Sequence, residues 1–151
     1  MIRVCLLALT SLVFSGMAAD HGFKATFVGG TAPGVEAKSS ARLDLSNPDV
    51  LIFRSGKTEI RIPYRKVESL EYGQNVSRRY AAAVLISPLL LLSKSRKHFV
   101  TIGYEDKAGK QQALVFRVGK GDIRSVLASL EARTGRRVEY QDDEARKAGK
   151  G

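Results

Sequence analysis

Residues 98–135 read HFVTIGYEDKAGKQQALVFRVGKGDIRSVLASLEARTG, and a change of hydrophobic period inside this stretch decides the fold class. Val100, Ile102 and Tyr104 recur every second residue. So do Gln112, Leu114, Phe116 and Val118, with Ala113 and Val115 on the opposite side. That is the signature of two half-buried strands, and Asp106-Lys107-Ala108-Gly109 between them is a hairpin turn. After Gly121 the period lengthens: Ile123, Val126, Leu127 and Leu130 fall at i, i+3, i+4 and i+7, one stripe of an amphipathic helix. Asp122 is placed to accept the free amides of its first turn, Gly135 supplies a left-handed stop, and Arg133, Arg136 and Arg137 sit at the negative end of its dipole.

Working upstream, the pattern stays strand-like. Phe23, Ala25 and Phe27 alternate with polar or smaller residues before Gly29-Gly30, and Ala41, Leu43 and Leu45 do the same. The turn Asn47-Pro48-Asp49 leads into Val50-Leu51-Ile52-Phe53. Ser55-Gly56-Lys57 then turns the chain into residues 59–62, where Ile60 and Ile62 share a face. Pro63 cannot donate to a ladder, so it ends this strand or places it at an edge. Residues 64–67 form a connector, and 69–72 a fifth strand with Leu70 and Tyr72 inward. Residues 31–40 lack apolar periodicity and read as a loop. Beyond the helix, Val138-Glu139-Tyr140 adds an extended piece, and the charged residues 141–151 are expected to be disordered.

Between the fifth and sixth strands lies RRYAAAVLISPLLLLSKSRK, residues 78–97. Residues 80–92 carry no charge and are bordered by Arg78 and Arg79 on one side and Lys94, Arg96 and Lys97 on the other. Thirteen residues of helix reach about 20 Å, short of the ~30 Å of a bilayer core. Pro88 removes a helical donor and divides the stretch into two short pieces, so a full span gives way to a shallow insertion. Three readings follow. The stretch enters a membrane interface while its borders meet anionic headgroups; it covers an acidic or hydrophobic partner protein or a second copy of the chain; or it folds back across the sheet as core. The candidate binding residues are Arg78, Arg79, Tyr80, Leu85, Ile86, Leu89, Leu90, Leu91, Leu92, Lys94, Arg96 and Lys97.

The N-terminus has the three parts of a secretory leader: Arg3, an apolar run over residues 4–14, and the small-residue exit Ser15-Gly16-Met17-Ala18-Ala19. Cleavage after Ala18 fits the small-residue rule, with Ala19 as the other position, and an uncleaved anchor is the alternative reading. A periplasmic or secreted location is therefore expected. The single cysteine, Cys5, leaves with the leader, so the mature chain has no disulfide. The full chain carries 25 basic and 15 acidic residues, a net charge of +10. Only Arg3 among them belongs to the leader, so the mature chain stays strongly basic. Outside the cytoplasm its acidic partners are headgroups, anionic envelope polymers and acidic proteins, and no nucleic acid is expected.

Seven strands followed by one amphipathic C-terminal helix resemble the pleckstrin-homology-like (PH-like) superfold, over residues 23–134. The resemblance implies a mainly β (α+β) domain over residues 23–140: a bent antiparallel seven-stranded sandwich or partial barrel with a C-terminal capping helix. The chain is also similar to uncharacterised exported bacterial proteins in Pro63-Tyr64, Ser69-Leu70-Glu71-Tyr72-Gly73, Lys97-His98-Phe99 and Arg133-Thr134-Gly135. PH-like domains bind phosphoinositides, peptides or nothing known, so the superfold sets no ligand. The apolar insert does not sit where the best-known lipid-binding members carry their basic first hairpin.

Catalysis has little to work with. The chain has two histidines, His21 and His98, and its clustered acids, Asp142, Asp143 and Glu144, lie in the tail. Neither a catalytic triad nor a three-ligand metal site assembles from these, and no cofactor is expected. His98 reads as a solvated strand-end residue. Gly119-Lys120-Gly121-Asp122 opens a helix but lacks the fuller phosphate-loop pattern, so it reads as a turn.

Overall fold

Alternation in the sequence becomes a buried inner face in space. Leu114, Phe116 and Val118 are all closed to solvent, as are Val100, Ile102 and Tyr104 on the neighbouring strand. The computed structural model describes residues 22–31, 34–74 and 97–150. Its strands are β1 (Phe23–Gly30), β2 (Ser40–Asp44), β3 (Val50–Ser55), β4 (Thr58–Pro63), β5 (Val67–Gly73), β6 (His98–Glu105), β7 (Gln111–Val118) and β8 (Val138–Tyr140). They form one sheet in the order β4-β3-β2-β1-β7-β6-β5-β8. The pairings are antiparallel apart from β8, which lies parallel to β5 with Leu70 opposite Val138.

The fold is therefore mainly β and sandwich-like, and its sheet is open, ending on β4 and β8. One apolar cluster takes Phe27, Leu43, Phe53 and Ile62 from the first four strands and Leu70, Ile102 and Phe116 from the next three. The sheet thus curls around a single core. Each such side chain contributes about 1.5–3 kcal/mol by leaving water. Pro63 closes β4 at the sheet edge, where a residue without an amide proton does least harm.

Helix α1 (Ile123–Thr134) supplies the second layer. Its Ile123, Val126, Leu127 and Leu130 are buried in that same cluster, the stripe read from the sequence. Gly135 ends it with φ 67°, and the Gly135 amide donates to the Glu131 carbonyl at 2.9 Å. Asp122 stands at the N-cap but makes no side-chain capping bond. The Asp122 and Ile123 amides instead both donate to the Gly119 carbonyl at 3.1 Å, so a backbone turn opens the helix.

Local boundaries depart from the sequence reading for identifiable reasons. β1 continues past Val28 through Gly30, with a register shift between Phe27 and Gly29, because a bulge absorbs the extra residue. β5 begins at Val67, with a similar shift before Ser69. The larger correction is the tail. Residues 141–151 were expected to be disordered, yet Asp143–Lys150 forms helix α2, with Ala145 fully buried. Asp142 Oδ1 accepts the Ala145 amide at 2.6 Å, acids occupy its first turn, and Lys147 and Lys150 its last. Cap and dipole thus agree, and the signal was in the sequence.

Candidate functional site

The site is built at one end of the sheet. Gly73 closes β5 opposite Phe99 of β6, Val118 ends β7 opposite His98, and Ala25 of β1 lies opposite Val118. The chain therefore leaves β5 and returns to β6 at adjacent points, and β1 begins at the same end. Of the predicted binding residues, Lys97 is half-buried here. Arg78, Arg79, Tyr80, Leu85, Ile86, Leu89, Leu90, Leu91, Leu92, Lys94 and Arg96 lie outside the described residues, as does the leader.

Beside Lys97 sits an aromatic cluster that the sequence did not announce. The His98 ring stacks on Tyr72 at 6.0 Å between centroids and 10° between planes, and Tyr140 meets Tyr72 edge-on at 5.9 Å. Tyr72 Oη and His98 Nδ1 are hydrogen-bonded at 2.5 Å. The His98 side chain is thus not the solvated strand-end residue expected: it is half-buried against Tyr72, beside which the parallel β8 brings Tyr140, and the His98 imidazole is perturbed accordingly. Burial pushes its pKa below 6.5, and the Lys120 ammonium adds to the shift. Burial raises the Tyr72 hydroxyl, with Tyr140 and Asp142 contributing. Both rings are accordingly held neutral.

The outer side of the sheet is not uniformly polar. Val28, Phe99 and Val115 are 2%, 4% and 0% exposed but stand outside the main cluster, on the side opposite α1. A cleft of about 210 Å³ opens there between Val28, Lys38, Phe99 and Arg117. The visible signal was the apolar character of Ala113 and Val115 on the second face of β7.

Chemically, the arrangement offers apolar contact, cations and a neutral imidazole. Among the described residues no group of three His, Cys, Asp or Glu side chains is placed to hold a metal ion. Among them, too, no helix is long and apolar enough to cross a membrane. A scan against protein-family models finds no match to the chain, and no curated protein matches its sequence.

Proposed function

We propose that this chain is an exported, non-catalytic binding module with a PH-like sheet, and that it associates with an anionic membrane surface through residues 80–92 and their basic borders. The observation that carries the reading is the pairing of Gly73 with Phe99. It sets the two ends of the connection, Gln74 and Lys97, at adjacent points of one rigid hairpin, from which residues 80–92 would meet the surface in this reading. Beside Lys97, Lys120 lies close enough to act on His98. Basic residues near an anionic surface contribute about 1 kcal/mol each. The PH-like assignment is supported by the strand order, two antiparallel groups joined through β1 and β7 with α1 against the core.

A second reading draws on the buried outer residues Val28, Phe99 and Val115. In it the same apolar stretch lies back on that face and is core. A third gives the stretch to an acidic or hydrophobic protein partner or a second copy. Flotation of the full chain with anionic vesicles separates the three, using Leu90→Glu as the probe. Loss of flotation with an intact fold supports the membrane reading. Unfolding of the variant supports the core reading, and loss of a concentration-dependent self-association or partner complex supports the third.

A further inference from the structure

Among the described residues β4 ends the sheet, paired to β3 on one side and open on the other. Its backbone phase fixes what the open edge offers. Pro63 lies opposite Val50, and the Tyr64 amide donates to the Asp49 carbonyl at 3.0 Å. Hydrogen-bonded and non-hydrogen-bonded pairs alternate along an antiparallel ladder. Thr58, Ile60 and Ile62 therefore turn their amides and carbonyls toward β3, while Glu59, Arg61 and Pro63 turn theirs away. Pro63 has no proton to give, so Glu59 and Arg61 are the β4 residues with both an outward donor and an outward acceptor.

The side chains divide in the same way. Ile62 is closed to solvent and Ile60 is half-buried against the core, while the Glu59 and Arg61 side chains on the other face are 37% and 63% exposed. Glu59 receives Arg61 at 2.7 Å and Arg54 at 2.8 Å, and Arg54 also reaches Asp44 at 3.2 Å. Acids and bases thus balance across this group, in a chain whose net charge of +10 otherwise drives copies apart.

We propose that the β4 edge pairs with β4 of a second copy of the chain, antiparallel and two-fold symmetric, with Ile60 opposite Ile60. In that register Glu59 of each copy lies opposite Arg61 of the other. Each such pair exchanges both of its outward backbone hydrogen bonds and sets opposite charges side by side. The exposed Lys57 falls opposite Pro63, so no two cations face one another. The neighbouring symmetric registers would oppose Glu59 to itself or Arg61 to itself, and like charges directly across strands repel. A slip by one residue would set inner side chains against outer ones. Edge strands are commonly kept apart by charge and proline; here the alternation of sign over Glu59 and Arg61 makes the edge complementary to itself. Both copies use the same patch, so the assembly closes at a dimer. A contact built on six-residue strands is small, which makes the dimer a reversible one.

Sedimentation equilibrium of the full chain reads the monomer–dimer constant, and wild type should dimerise as its concentration rises. Arg61→Glu and Glu59→Arg should each weaken dimerisation at least tenfold. Their equimolar mixture should recover it to within threefold of wild type, because every cross-strand charge pair in the mixed dimer is again of opposite sign. Leu90→Glu should leave the constant unchanged, which separates this edge from a contact through residues 80–92. Wild type that stays monomeric at millimolar concentration would leave the edge to a strand of another protein and overturn the proposal. Single variants that dimerise as wild type does, or a mixture no better than its parts, would overturn it too. Should Glu59→Arg unfold, Arg61→Pro, which removes an outward amide that β3 does not use, must still dissociate the dimer, or the proposal fails.

Discussion

The Tyr72 hydroxyl and His98 Nδ1 meet at 2.5 Å with their rings stacked, linking the end of β5 to the start of β6. A neutral imidazole can accept the tyrosine proton at Nδ1, whereas a protonated ring cannot. The folded protein therefore resists protonating His98, in line with the lowering by burial and by Lys120.

That lowering has a definite sign in stability. The folded-state pKa lies below 6.5, so the contribution is complete above that value. It is lost as pH falls toward the folded pKa, because the unfolded chain takes up a proton that the folded one refuses. Thermal midpoints should decline below pH 6.5, and His98→Gln should have a shallower decline. Lys120→Met should flatten the slope in part. Equal slopes for the three proteins would rule the linkage out.

Gly149 of α2 tests whether the tail is docked. A Cβ there would stand 2.6 Å from Tyr140 Cε1, 3.2 Å from Leu127 and 3.3 Å from Tyr72. Gly149→Ala should cost about 1–3 kcal/mol through overpacking. In an undocked helix the same change would gain up to about 1 kcal/mol in propensity. The sign of the shift in chemical denaturation decides between them.

Among the described residues the buried Tyr64 hydroxyl has no hydrogen-bond partner. Burial raises its pKa, and the Arg133 guanidinium lies 6.0 Å over its ring. Tyr64→Phe removes the unpaired group and keeps the ring, so stability should hold or rise by up to about 1 kcal/mol. A loss of more than that in urea unfolding would reveal a partner for the hydroxyl.

The strand alternations and the α1 stripe were legible because each side chain there answers to one question, inward or outward. Leu114, Phe116, Ile123 and Leu130 were placed correctly by period alone. Relations set by long-range contact were not. Nothing local in Val138-Glu139-Tyr140 says that it pairs parallel with β5, so the Tyr140–Tyr72–His98 cluster stayed hidden. The tail was misread from its charge, although Asp142 as cap and the acid-to-base order of α2 were there to be read. The outer apolar residues Phe99 and Val28 escaped notice because a reading centred on one inward face per strand treats the other as solvated.

The most direct measurement of the central claim is flotation of the full chain with vesicles of rising anionic lipid content, beside a Leu90→Glu variant whose circular dichroism matches the wild type. The membrane account predicts that wild type floats in proportion to anionic lipid, that salt releases it, and that Leu90→Glu stays at the bottom of the gradient. Wild type remaining at the bottom at every lipid composition, or Leu90→Glu floating as well as wild type, would contradict it.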